Sequence, residues 1–192
     1  MASKVRNRIR YNSPVVLTFA LISLLVLILD FLTGGRTTGL LFCTYRTSPL
    51  DVLGYVRMFG HVLGHANLQH YIGNMTLMLI LGPMLEEKYG SKNLLLAIAI
   101  TAVISALVHG LFSEGALLGA SGIVFMMIML SSLTGMKAGT IPLTMILVAV
   151  VYIGGEIIDG IVNQDSVSQL THIVGGICGT AIGFTIGKKK KK

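Results

Sequence analysis

Charged residues are scarce in this chain, and their scarcity excludes an ordinary soluble domain. Only 12% of the 192 residues are charged, whereas 53% are hydrophobic, and the mean hydropathy is +0.79. A chain of this size with so apolar a composition belongs in a membrane. The net charge of +7 does not indicate nucleic-acid binding, because most basic residues lie near the two ends of the chain rather than on one folded face.

Cysteine is also nearly absent, with only Cys43 and Cys178. These two residues give neither a disulfide framework nor a metal-ligand spacing, and we interpret Cys178 as a packing residue. His61, His65 and His70 suggest a metal cluster, but no His-Glu-x-x-His pattern occurs and the first two are expected in a loop. We therefore expect no metal and no cofactor.

Apolar segments dominate what remains. Each is long enough, or nearly so, to cross about 30 Å of hydrocarbon as a helix. The basic N-terminal stretch and the first segment resemble a signal peptide, but no small-x-small cleavage site follows, so we expect a retained helix. The predicted fold is an all-α polytopic membrane protein with a six-helix domain over residues 14–187, between basic segments 1–13 and 188–192. The six segments lie near residues 14–32, 68–86, 92–110, 120–135, 141–158 and 169–187.

The distribution of Lys and Arg among the loops predicts the orientation of this bundle. Most of them share one side, which predicts that both termini are cytoplasmic. The protein is thus expected to be a multi-pass cell-membrane protein, and its compact length favours a bacterial inner membrane. The basic residues outside the terminal clusters are Lys88, Lys92 and Lys137 on the cytoplasmic side and Arg36, Arg46 and Arg57 on the outer side.

Ser121 lies between glycines in Gly119-Ala120-Ser121-Gly122, at the outer start of the short fourth segment. Such a motif by itself is typical of helix packing. A nucleophilic serine also needs a base and donors for the oxyanion that it creates. The backbone N–H of Ser121 is one such donor, because the first amides of a helix have no partner within it.

Three further polar residues at membrane depth complete a candidate site. His70 and Asn74 are four residues apart and share one helical face, where they either hold helices together or donate to an oxyanion. His172 lies one turn before Gly175, which begins a glycine stripe at intervals of four. Close approach of another helix along this stripe would bring His172, otherwise a structural residue, within reach of a serine.

These motifs resemble the rhomboid family of intramembrane serine proteases along most of the chain. In that family a Gly-x-Ser-Gly motif opens the fourth helix, a histidine precedes glycines in the sixth, and His-x-x-x-x-His-x-x-x-Asn lies in the second. The resemblance implies six helices, a Ser121/His172 dyad without an acid, and an oxyanion hole of His70, Asn74 and the Ser121 N–H. It also matches Gly82, Glu86 and Gly90 to a family motif at the cytoplasmic end of the second helix.

Two positions depart from the family pattern. The family often has Trp-Arg in the first outer loop, where this chain has Val56-Arg57. A family tyrosine that stacks on the catalytic histidine is Phe125 here, which keeps the ring but lacks the hydroxyl. We interpret Asp159 and Asp165 as solvated loop charges and Glu86 as structural, and we assign no role to His61 or His109.

The resemblance implies an endopeptidase that cleaves single-span transmembrane proteins near the outer membrane face, with the lipid bilayer as its environment. Water must then reach Ser121 in a protein-lined depression, and the substrate helix must unwind locally. An alternative is a non-catalytic relative that binds transmembrane helices. A small transporter is a third hypothesis, which would predict an internal repeat, and none is evident.

Overall fold

The computed structural model describes residues 9–134, 140–151, 154 and 166–189, and most of these residues are helical. Among the described residues, the β-type pairing is an isolated antiparallel bridge between Thr44 and Leu117. The helices are α1 (Pro14–Leu32), α2 (Arg36–Leu41), α3 (Val52–Gly60) with a 3₁₀ turn (His61–Leu63), α4 (Leu68–Tyr89), α5 (Ser91–Phe112), α6 (Ser121–Ser132), α7 (residues 143–151) and α8 (Ser166–Lys189).

Each predicted apolar segment contains a helix, so the all-α class is confirmed. Within the described residues, α1 and α5 are long and apolar enough to cross a membrane, while α6 and the stretch Val52–Leu63 are shorter apolar helices. The count of six crossings and the side on which the termini lie stay predictions. Lys137, Asp159 and Asp165 lie outside the described residues.

The long first loop, predicted to lie on the outer side, contains α2, α3 and the 3₁₀ turn, which we did not predict. A side-chain oxygen of Asp51 accepts a hydrogen bond of 3.0 Å from the Leu53 N–H and so caps α3. The same carboxylate forms an ion pair with Arg57, which is only 3% exposed and lies 4.5 Å from the Tyr45 ring centroid. Arg57 therefore belongs to the interior of this loop.

Glu86 joins the ends of three helices. Its carboxylate accepts hydrogen bonds from the Val15 and Val16 N–H groups at 3.0 and 3.1 Å and from the Ser91 hydroxyl at 2.7 Å. The carboxylate thus contacts the first residue of α5 and also caps the first turn of α1. The beginnings of α1 and α5 consequently lie at the same end of the molecule as the end of α4.

The central helix of the bundle is α6, whose side chains are buried on nearly all sides. Ile123, Met126 and Met127 are at most 1% exposed. Its main neighbour is α8, which packs along it through the predicted glycine stripe. This arrangement explains why a helix of only 12 residues is apolar all round.

Candidate active site

Ser121 is the first residue of α6, directly after an irregular segment at residues 113–120. Within that segment, Gly119 has a φ of +119°, a conformation that side chains rarely adopt, and its N–H donates to the His61 carbonyl at 2.9 Å. A Cβ at Gly119 would lie 2.7 Å from His70 Cε1. Glycine at this position therefore lets the His70 ring approach the backbone beside Ser121.

The predicted polar residues meet at one partly open cavity of about 710 Å³, which we call the serine cavity. Helices α4, α6 and α8 and residues 115–118 form its walls. The predicted residues that line it are Ser121, His172, His70, Asn74 and Phe125. No sequence pattern marked the other lining residues, among them Gln69, Leu118 and Thr171.

Backbone contact between α6 and α8 positions the two candidate catalytic residues. A Cβ at Gly175 would lie 2.1 Å from the Gly122 carbonyl oxygen, and one at Gly179 would lie 2.3 Å from the Met126 carbonyl oxygen. Only glycine permits so close a crossing. Since Gly122 follows Ser121 and Gly175 is one turn after His172, the crossing places both residues on the wall of the same cavity.

Phe125 holds the His172 ring from one face. The two rings are stacked, with their centroids 4.1 Å apart and their planes inclined by 14°. Phe125 lies one turn after Ser121 on α6. The stacking expected of the family tyrosine is therefore present without a hydroxyl, and the orientation of His172 in its plane depends on other contacts.

His70 and Asn74 present donors to the serine cavity. Asn67 caps α4 by accepting a hydrogen bond of 2.9 Å from the His70 N–H. The Ala66 N–H donates to His70 Nδ1 at 3.5 Å, so the neutral ring carries its proton on Nε2. Asn74 is 7% exposed, and its side-chain nitrogen has no hydrogen-bond partner among the described residues. A buried amide of this kind is satisfied by water or by a ligand oxygen.

Three buried histidines to which we assigned no catalytic role contact the backbone and the His70 ring next to this site. His61 Nδ1 donates to the Met58 carbonyl at 3.1 Å, and His109 Nε2 donates to the Gly115 carbonyl at 2.8 Å. The edge of the His65 ring meets the His70 ring, with centroids 5.1 Å apart. Burial lowers the pKa of His61 and of His65 to about 4 each, so both are neutral at pH 7.

The segment before α6 is also fixed to the first outer loop. Thr44 and Leu117 exchange two backbone hydrogen bonds of 2.9 and 2.8 Å. Arg46 donates to the Gly110 and Leu111 carbonyls at 2.8 Å each, at the end of α5. No local sequence pattern indicated these contacts, because each joins residues more than 60 positions apart.

The part of the chain that the structure describes holds no group of three or more His, Cys, Asp or Glu placed to bind a metal. His61 and His65 each use Nδ1 to donate to a backbone carbonyl, so neither ring offers that nitrogen as a ligand. The chemistry that this cavity can support is that of a serine, a histidine and neutral hydrogen-bond donors.

In this helical bundle, Ser121 and His172 share one cavity beside amide donors. Similarity to known proteins identifies the family to which such a bundle belongs. The Rhomboid domain family matches residues 53–189. The chain is 26% identical over 176 residues to the rhomboid protease GlpG of Yersinia pestis (strain Pestoides F), covering 89% of this chain and 62% of that protein. It is 29% identical over 118 residues to the rhomboid protease GlpG of Klebsiella pneumoniae, covering 61% of this chain and 42% of that protein. This chain belongs to the rhomboid family.

Proposed function

We propose that this chain is an intramembrane serine endopeptidase with Ser121 as nucleophile and His172 as general base. The observation that carries the proposal is that both residues line one partly open cavity, with His172 stacked on Phe125. Membership of the rhomboid family and the proteases among its relatives support it. No metal or cofactor is needed.

The reaction begins when Ser121 Oγ attacks a peptide carbonyl while His172 takes its proton. The oxyanion accepts hydrogen bonds from the Ser121 N–H, from His70 Nε2–H and from the Asn74 amide. His172 then protonates the leaving amine, and water hydrolyses the acyl-enzyme with the same histidine as base. The partial positive charge at the start of α6 adds to the stabilisation of the oxyanion.

The substrate class follows from the position of this cavity in the membrane. We place Ser121 toward the outer face of a bacterial inner membrane, with six crossings and cytoplasmic termini. Irregular backbone such as residues 113–120 is tolerated at membrane depth only where protein shields it or water reaches it. Substrates are then single-span proteins whose helix unwinds locally, since a helical peptide bond is inaccessible to a nucleophile.

The test is cleavage of a single-span substrate by the purified protein in vesicles. Ser121→Ala and His172→Ala are each expected to abolish cleavage, whereas Ser131→Ala is a matched control. Ser131 lies on the same helix, where its hydroxyl bonds the Ile128 carbonyl at 2.8 Å, away from the cavity. Undiminished cleavage by either dyad variant would contradict the assignment.

A fluorophosphonate probe separates a protease from a non-catalytic relative. Labelling that the parent shows and Ser121→Ala loses requires an activated serine. A folded protein that binds transmembrane helices but is not labelled would refute the proposed activity while leaving membership of the family intact. Asn74→Ala is expected to react more slowly, by about 10²- to 10³-fold, because one oxyanion donor is lost.

A further inference from the structure

A second cavity, of about 500 Å³, lies apart from the serine cavity and shares no lining residue with it. Helices α1 and α5 form its long walls, and Phe59 and Leu63 of the outer loop close its far part. We call it the α1–α5 cavity. Its walls are almost wholly apolar, with Phe19 and Ile22 from α1 facing Leu95 and Ile98 from α5.

The two ends of the α1–α5 cavity differ in polarity. One end, at Pro14 and Ser91, lies where α1 and α5 both begin. Arg10, four residues before Pro14, and Lys92, next to Ser91, are both exposed. The nearest acid, Glu86, is 5% exposed and already accepts hydrogen bonds from α1 and from Ser91. The adjacent pair Glu87 and Lys88 adds no net charge, and the Glu86 carboxylate offsets only one of the two cations, so this end of the cavity keeps a net positive charge.

The depth of the cavity is about half the thickness of the hydrocarbon core of a membrane. At about 1.5 Å per residue, α5 rises about 16 Å between the lining residues Ser91 and Ala102. The hydrocarbon core of a bilayer is about 30 Å thick, so the cavity spans one leaflet. Its volume lies in the range of roughly 300–1,000 Å³ that is typical of small-molecule sites.

We propose that the α1–α5 cavity binds one anionic phospholipid of the cytoplasmic leaflet. An acyl chain lies between α1 and α5, and the headgroup phosphate lies between Arg10 and Lys92. An apolar body that is one leaflet deep, with cations at its mouth, matches this class of ligand in both shape and charge. The inference depends on the membrane placement proposed above and not on the protease activity.

The experiment uses the full chain in two sets of phosphatidylcholine vesicles. One set contains a trace of photoactivatable phosphatidylglycerol, and the other contains a trace of photoactivatable phosphatidylcholine with the same acyl chains. Only protein that floats with the vesicles is digested. Protein that does not enter the membrane is thereby detected separately from protein that enters it but does not bind the probe. Cleavage activity is measured on the same samples. We expect the phosphatidylglycerol probe to label α1 and α5 peptides at least about fivefold more than the phosphatidylcholine probe, since one basic residue contributes about that factor.

Two sets of variants test the two parts of the site. Ala99→Phe fills the cavity and is expected to remove the labelling, whereas Ala181→Phe, at an exposed alanine of α8, is expected to leave it unchanged. Arg10→Gln combined with Lys92→Gln is expected to lower phosphatidylglycerol labelling to the phosphatidylcholine level. Arg36→Gln, at an exposed arginine of α2, is the matched control.

Equal labelling by the two headgroups would overturn the proposal, as would labelling that Ala99→Phe does not change. Cross-links from α1 or α5 to a second copy of the chain in place of lipid would overturn it as well. If Ala99→Phe does not fold, the charge variants decide, because both of their side chains are exposed and their loss leaves the core intact.

Discussion

Replacing Gly175 with alanine should separate the two candidate catalytic residues without changing either of them. The added Cβ would lie 2.1 Å from the Gly122 carbonyl oxygen, 2.9 Å from its carbon and 3.1 Å from its Cα, whereas ordinary contacts begin at 3.4 Å. All three atoms belong to the backbone, so no side chain can turn away. Helices α6 and α8 must move apart by about 1 Å.

That displacement acts directly on the distance between Ser121 and His172, because Gly122 and Gly175 are their near neighbours on the two helices. A misplacement of about 1 Å in a catalytic constellation can cost about 100-fold in rate. We therefore expect Gly175→Ala to lower kcat for cleavage of a transmembrane substrate by about 100-fold. Fluorophosphonate labelling of Ser121 should slow in parallel.

Gly176→Ala is the matched control on the same helix. Its Cβ would meet Met129 Cγ at 3.6 Å, an ordinary contact, and alanine raises helix propensity by about 1 kcal/mol. It should keep the parent rate. If Gly175→Ala melts near the temperature of the parent and still cleaves as fast as Gly176→Ala, contact between α6 and α8 does not position the two residues.

Three further perturbations follow from contacts in the structure. Phe125→Leu removes the stack on His172, which is worth about 0.5–1.5 kcal/mol, so cleavage should slow by roughly two- to tenfold, whereas Phe125→Tyr should keep the rate. Glu86→Gln replaces a carboxylate that accepts three hydrogen bonds, and thermal melting should show a loss of about 2–3 kcal/mol. Burial lowers the pKa of His61 from its usual 6.5 to about 4, so His61 by itself should account for a loss of roughly 3 kcal/mol of stability as pH drops through this window.

Each of these three has a control and a contradicting outcome. An unchanged rate for Phe125→Leu would show that the stack does not position the histidine. Glu87→Gln, at an exposed neighbour, should leave the melting temperature unchanged. If Glu86→Gln also melted at the temperature of the parent, Glu86 would have no structural role. As pH falls, His61 is protonated in the unfolded state before it is protonated in the folded state, so His61→Gln should reduce the loss of stability between pH 6.5 and 4. A dependence of stability on pH identical to that of the parent would contradict the low pKa of His61.

The helical elements and the candidate residues were accessible to sequence reasoning because their signals are local. The predicted first segment coincides with α1, and the second and third begin and end within a few residues of α4 and α5. The spacing of His70 and Asn74 placed them on one face, and both line the serine cavity. The match with the Rhomboid domain family, over residues 53–189, spans the same motifs.

The first outer loop shows where such reasoning fails. Residues 33–67 were expected only as a long loop, yet they contain two helices held by Asp51, Arg57 and backbone contacts to distant residues. His61 and His109 were left without roles because their partners, the Gly119 N–H and the Gly115 carbonyl, belong to a segment whose position no local pattern reveals.

The sequence alone determined that this is an apolar, all-helical chain with a serine at the start of its shortest apolar segment, because hydropathy and motif spacing act over one or two helical turns. Only the tertiary structure decided which helix meets the glycine stripe of α8. Backbone contact at Gly122 and Gly175 brings Ser121 and His172 to one cavity, and Phe125 stacks on one face of the histidine ring. Such contacts depend on how closely two distant segments approach, which no single segment encodes.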